Sequence, residues 1–366
     1  MNKNDDSTVV YALDYETTYG DELSITPLGI QRYARETEVF LVSVVGSDGY
    51  EFVGPPELFD HSMLNHHTVV CHNVSFDAGI FRYALGLDDS SIDWRDSAGL
   101  TAYLQSGRSL KNASWHLLRK DVSKVARDAF KNRSRAELED EDLFGVSMAS
   151  NTHDYCLTDS RLTLEIWQKY SHLWPESEQK LSKITWEACH RGVAIDLAGV
   201  DAGVNAMGDA MADAEKSVPW RAQGVLSSSA RKKYLVETLG FEPWQLPQSF
   251  AATDKDYLKF VAENDIPALG HLKRYHRAAV AKKKLESIRR RSHESVMPYE
   301  LMYAGAPHTL RWVGAGGDDN ETGGGVNMQN LPQKPFENVD MRSLFIPRRG
   351  HKMIIADYSA IEGVVL

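Results

Sequence analysis

With 366 residues, 42% of them hydrophobic, the chain is long enough for two or three domains with sizeable cores. It contains no run approaching the roughly eighteen apolar residues of a membrane span, and MNKNDDSTVV at its start lacks the charged head and apolar middle of a signal peptide. The formal net charge of −10 argues against a nucleic-acid partner only if charge is evenly spread, and it is not. Between Lys273 and Arg291 there are nine Lys or Arg and a single acid, Glu286. Cys71, Cys156 and Cys189 have no close metal-ligand spacing, and their odd number speaks against a secreted disulfide framework. A reducing cytoplasm is the expected setting.

Residues 8–13 (TVVYAL) predict a buried strand. Residues 39–45 and 50–53 predict a hairpin around the turn at 46–49, and 68–71 (TVVC) a fourth strand running into His72 and Asn73. Helical patterns follow at about 76–86, 96–105, 109–119 and 151–174, the last with a cap at Asn151 or Thr152. The first part is therefore an α/β domain. From about 180 the chain turns to long, charged, helix-forming sequence, broken at 192–196 and near 243–253. The basic stretch 271–291 predicts a long solvated helix with apolar residues along one side. Residues 314–325 are glycine-rich, hold three acids and fit no phosphate-binding loop, so they read as a linker. MIIAD, residues 353–357, predicts a compact apolar strand ending in an acid. Such a strand at a sheet edge needs a pairing partner.

Several acids fall where these elements meet. Asp14 and Glu16 stand two apart at the end of the first predicted strand and so share a face. Asp77 lies where a strand gives way to a helix, and Tyr155 and Asp159 are four apart on one helix face. Taken singly, these are usually a solvated strand edge, a packing residue and a helix acid; their joint order is what matters. Hard oxygen ligands converging from three elements suit Mg²⁺ or Mn²⁺, and two such ions about 4 Å apart stabilise both oxygens of an in-line phosphoryl displacement.

The series D-Y-E-T (Asp14 to Thr17), N-V-S-F-D (Asn73 to Asp77) and Y-C-L-T-D (Tyr155 to Asp159) resembles the three motifs of DnaQ-like proofreading exonucleases of the DEDDy subgroup. The resemblance covers about 8–175 and includes elements at Asp96 and Ser109. It implies an RNase H-like fold with a mixed sheet, spanning 1–178. It further implies that Asp14, Glu16, Asp77 and Asp159 hold two divalent ions and that Tyr155 orients the attacking water. Glu16 and Thr17 would meet the terminal nucleotide and Asn73 the adjacent backbone, releasing nucleoside 5′-monophosphates from a 3′ end.

The remainder resembles phage-type family A DNA polymerases. Gly192 to Asp196 is similar to the element that follows the exonuclease domain, and the helix with Arg277 and Lys284 to the thumb segment that tracks duplex DNA. Met302 to Ala306 with Arg311 and Trp312 resembles a primer-side element, Gln329-Asn330-Leu331-Pro332 matches the Q-N-L-P motif, and Asp357 to Glu362 matches motif A. The resemblance implies a mainly helical thumb-like region at 179–300 and the beginning of a palm at 301–366. In the family the Asp357 position binds polymerase metals and the Glu362 position screens the incoming sugar. Leu310 stands where the motif has glycine, and Gly363-Val364 where an Ala/Leu-Arg pair is usual. The fingers and the second palm carboxylate do not follow in this sequence, so the expectation is an exonuclease unable to polymerise alone, completed by a second polypeptide. The rivals are a stand-alone nuclease, a non-catalytic DNA-binding or assembly subunit of a split polymerase, and an RNA-trimming enzyme.

Overall fold

The structure, a computed structural model, describes residues 9–21, 23–121, 131–139, 146–314 and 326–356. Two compact units divide the chain: Met1–Val193 with Arg291–Asn330, and Ala194–Arg290 with Leu331–Leu366. Among the described residues no helix is long and apolar enough to cross a membrane.

The first unit is built on a five-stranded mixed sheet in the order β3-β2-β1-β4-β5. Its strands are β1 (Val10–Thr17), β2 (Val39–Gly46), β3 (Glu51–Gly54), β4 (Thr68–Cys71) and β5 (Asp93–Asp96). β1, β2 and β3 form an antiparallel meander, whereas β4 runs parallel to β1 and β5 parallel to β4. β2 is buried along its whole length, as its unbroken apolar run requires. Helices α1 (Ile25–Leu28), α2 (Ile30–Glu36), α3 (Val74–Gly79), α4 (Ser97–Tyr103), α5 (Leu110–Ala113), α6 (Arg135–Glu139), α7 (Val146–Tyr170) and α8 (Glu176–Arg191) complete the unit. A large core of Leu13, Tyr15, Tyr33, Leu64, Ile80, Phe81 and Trp94 fills one side, and α7 packs Cys156 and Leu164 on the other.

The second unit is mainly helical: α9 (Leu197–Lys216), α10 (Ser228–Glu237), α11 (Lys255–Glu263) and α12 (Pro267–Arg291). Side chains of Asp196, Ser227 and Asp254 accept the free N–H groups that open α9, α10 and α11. α9 and α12 approach closely, since a Cβ at Gly203 would lie 3.1 Å from Leu285 Cδ1. Trp220, Leu235, Phe260, Leu269 and Leu272 form the core. A short β6 (Val193–Ile195) pairs Ile195 with Phe345, and the Asp196 N–H donates to the Leu344 carbonyl.

Four local expectations change. β1 extends to Thr17, so Asp14 and Glu16 lie within the strand rather than at its end. β5 occupies Asp93–Asp96, where D-W-R-D carries too much charge to look like a strand; its pairing with the buried β4 decides it. The helices expected at 76–86 and 109–119 each end in a π-helical turn, at Ile80–Ala84 and Ser114–Leu118. The strand expected at 353–357 is absent over 353–356, where Ile354 and Ile355 are 90% and 87% exposed. A strand exists only with a neighbour's ladder, and among the described residues none pairs there. Asp357, Glu362 and most of the glycine-rich stretch lie outside the described residues.

Candidate functional site

The sheet sets the positions of the first two acids. On β1, Asp14 pairs across from Ser43 and Glu16 from Leu41 of β2, both half-buried on one face, while Leu13 and Tyr15 are buried. The ladder shifts between Glu16 and Thr17, a bulge that turns the chain as it leaves the site.

α7 is fastened across this face by two serines. The buried Ser43 Oγ donates to the Cys156 carbonyl at 2.9 Å and shares a 2.6 Å hydrogen bond with the buried Ser160 Oγ. Cys156 packs against Phe40 and Leu41, and its thiol approaches Glu16 Oε1 at 3.6 Å. These contacts fix the helical turn that carries Tyr155 and Asp159. The third element is the start of α3. There Asp77, 1% exposed, accepts the Tyr15 N–H on Oδ1 at 3.1 Å. The β1–β4 ladder ends at Ala12–Val70, and Asp77 takes the backbone donor that lies beyond it.

The electrostatics tie the three elements into one site. Burial drives the Asp77 carboxyl well above the usual carboxylate range; the Tyr15 N–H opposes this, and Glu16 and Asp96 add to it. Burial also pushes the Tyr155 hydroxyl well up, and Asp159, Glu16 and Asp14 push it further. Cys156 rises for the same reasons, burial first and then Glu16, Asp14 and Asp159. Tyr155 therefore keeps its proton and remains a hydrogen-bond donor.

Among the described residues, no three His, Cys, Asp or Glu side chains already stand in metal-ligand geometry. The expected four-carboxylate cage is thus not preformed. Like charges repel one another, and Asp77 is turned toward a backbone donor. The donor set nonetheless fits a hard divalent cation, because Asp14, Glu16, Asp77 and Asp159 offer only oxygen.

The other expected site residues fall in separate places. Thr17 is buried, its hydroxyl 2.6 Å from the Tyr33 hydroxyl. Asn73 is exposed at φ 92°, a left-handed position favoured by Asn, and its N–H donates to Asp96 Oδ1 at 3.2 Å. Arg311 and Asn330 are exposed. Gln329 braces the hairpin of β7 (Leu301–Met302) and β8 (Val313–Gly314), accepting the Gly314 N–H and donating to the Trp312 carbonyl. Leu310, where the resembling motif has glycine, adopts φ 54°, the conformation glycine favours. Lys284 lies half-buried on α12, in the second unit.

Sequence reasoning gave no positioning role to the residues that hold the site's backbone, although Asp96 lies in one of the elements that carry the resemblance. Asp96 caps α4 through the Ala98 N–H, receives the Asn73 and Val74 N–H groups and pairs with Arg108, holding the loop that leads to Asp77. His72 bridges Ser97 Oγ and the Arg108 carbonyl, and burial lowers it to about 4. The signal for Ser43 was a lone polar residue inside VFLVSVV.

By sequence, the chain matches no protein-family model and no curated protein. By structure, it is similar to the POL domain of Pol1 from M. smegmatis, solved in complex with DNA primer-template and dNTP, with a TM-score of 0.59 at 15% sequence identity. The match covers 94% of this chain and 56% of that one, so the chain spans little more than half the length of its neighbour. At this identity the likeness is one of fold: the chain has a mixed α/β, DNA-polymerase-like fold.

Proposed function

We propose that the chain is a metal-dependent 3′→5′ exonuclease acting on DNA, the proofreading part of a family A, phage-like polymerase. The observation that carries the reading is the convergence of Asp14 and Glu16 on β1, Asp77 on α3, and Tyr155 and Asp159 on α7: Glu16 acts on Asp77, and Asp159, Glu16 and Asp14 act on Tyr155. The strand order β3-β2-β1-β4-β5 supports an RNase H-like domain. DNA is favoured as substrate by the likeness to a polymerase domain solved with primer-template, and by the cations of α12.

In this proposal Asp14, Glu16, Asp77 and Asp159 would hold two Mg²⁺ or Mn²⁺ ions, which when bound supply a more acidic water and compensation of charge on the phosphate. Tyr155 donates its O–H to orient the water against the phosphorus. Ser43 and Ser160 hold the turn that aims it, and Asp77 steadies the backbone between Asp14 and Glu16 through the Tyr15 N–H. A second reading, a non-catalytic DNA-binding subunit, is favoured by the lack of preformed ligand geometry among the described residues.

Release of mononucleotides from 3′-labelled single-stranded DNA with Mg²⁺ or Mn²⁺ separates the two. The double substitution Asp14→Ala, Glu16→Ala is expected to lower the rate by on the order of a thousandfold or more. Undiminished activity in that variant, or none in the parent chain, overturns the assignment.

A further inference from the structure

The second unit contains a cavity of about 950 Å³. Its walls are mainly apolar, from Leu258, Leu269, Leu272 and Val280 among others, and its opening carries Lys273, Arg277 and Lys334, all exposed. Among the described residues that line it there is no aspartate or glutamate, although the whole chain is acidic at −10.

One wall is the side chain of Arg231, only 4% exposed. Its guanidinium donates to the Phe250 carbonyl at 3.1 Å and lies 5.2 Å from the ring centroids of both Phe250 and Tyr257. Nε has no hydrogen-bond partner among the described residues, and no carboxylate there pairs with it. A buried cation facing only carbonyls and ring faces keeps an uncompensated charge, which draws an anion to the pocket.

Three further features narrow the class of occupant. Leu226, Leu258 and Val280 are 51%, 47% and 45% exposed, so the apolar surface continues over the rim. The cations Lys273, Arg277 and Lys284 are spread over about 16 Å of helix axis, farther than one small anion reaches. The walls themselves are greasy, and a phosphate backbone would leave them unfilled. We infer that this groove receives an acidic amphipathic peptide segment of a partner protein, its apolar side chains entering the cavity and its carboxylates meeting the cationic rim.

The test is a fluorescence-anisotropy titration of the full chain with a dye-labelled amphipathic peptide of roughly fifteen residues, leucine and phenylalanine on one face and glutamates beside them. The control peptide carries lysine for every glutamate, and a labelled DNA duplex is titrated in parallel. The acidic peptide is expected to bind at least about tenfold more tightly than its lysine counterpart. Val280→Asp and Leu258→Asp, both at exposed positions, should each weaken it by about tenfold or more. Melting curves should stay at parent values in both variants, and 3′-end degradation in Leu258→Asp, which lies on α11 rather than on the cationic α12. Equal binding of the two peptides overturns the proposal, as does acidic-peptide binding that ignores both substitutions. It also fails if the substitutions weaken the duplex and leave the acidic peptide untouched, because the groove is then a DNA track. The degradation assay reads the nuclease separately, so failure of either reading is seen without the other.

Discussion

In the first unit, Asp77, Asp96, His190 and Arg291 are buried, each with specific hydrogen-bond or ion-pair partners. In the second, charge lies on the outer faces of helices in pairs such as Arg289–Asp201, both about half exposed at 2.8 Å. Among the described residues Arg231 is the one charged side chain buried there. Burying a charge is costly, so a fold retains it where it positions something. In the first unit the buried Asp77 and Asp96 hold the backbone around the candidate site, through the Tyr15 N–H and through the Asn73 and Val74 N–H groups. The second has a mainly apolar interior and, Arg231 apart, carries its charge at the surface.

The comparison predicts different consequences for substitutions in the two units. Among single substitutions, the largest effect is expected at Tyr155. Tyr155→Phe should lower the rate of mononucleotide release about a hundredfold, while leaving the melting temperature of the half-buried site nearly unchanged. A matching loss of stability would place Tyr155 in the packing instead.

Acid should destabilise the first unit through His190 and His72. Burial, aided by the Arg82 charge, lowers His190 to about 3, and its Nε2 lies 2.9 Å from the Ser75 carbonyl. A depressed folded pKa means that stability is complete above the unfolded value of 6.5 and is lost as pH falls from there toward 3. Each pH unit in that window should remove about 1.4 kcal/mol, and His72 adds a similar loss down to about 4. Urea unfolding of the parent and His190→Gln between pH 7 and pH 5 reads the slope, which should be shallower in the variant. Parallel slopes would mean that His190 takes up its proton without unfolding.

A smaller gain is expected inside the same unit. The Tyr15 hydroxyl is buried with no hydrogen-bond partner among the described residues. Tyr15→Phe should therefore raise stability by about 1 kcal/mol, read by chemical denaturation. A loss would reveal a bridging water at that oxygen. Smallest of all is the surface pair of the second unit. Asp201→Asn should change stability by no more than about 0.5 kcal/mol, and a larger shift would show that its exposed charges carry structure after all.

Much of this arrangement was legible in the linear sequence, for definite reasons. Compact apolar runs marked the strands and a helical pattern marked α7, because each packs against a core. Asp14 with Glu16, and Tyr155 with Asp159, stood out because their spacings place each pair on one face, and Asp77 because its motif completes the resemblance. The acid-rich β5 was missed, because its strand character comes from β4 beside it. The strand read into MIIAD was false for the opposite reason, since apolar content without a partner ladder makes no strand.

By itself, then, the sequence determined the periodic elements, the separation of an acidic α/β region from a basic helical one, and the residue types of the carboxylate site. Those follow from local propensity and the burial of one face. Tertiary structure alone decided that Ser43 and Ser160 clamp α7, that Asp77 takes the Tyr15 N–H, and that Arg231 is enclosed in an apolar cavity. Each of these depends on which distant segments pack together, and a hydrogen bond across 117 positions leaves no periodic trace in the chain.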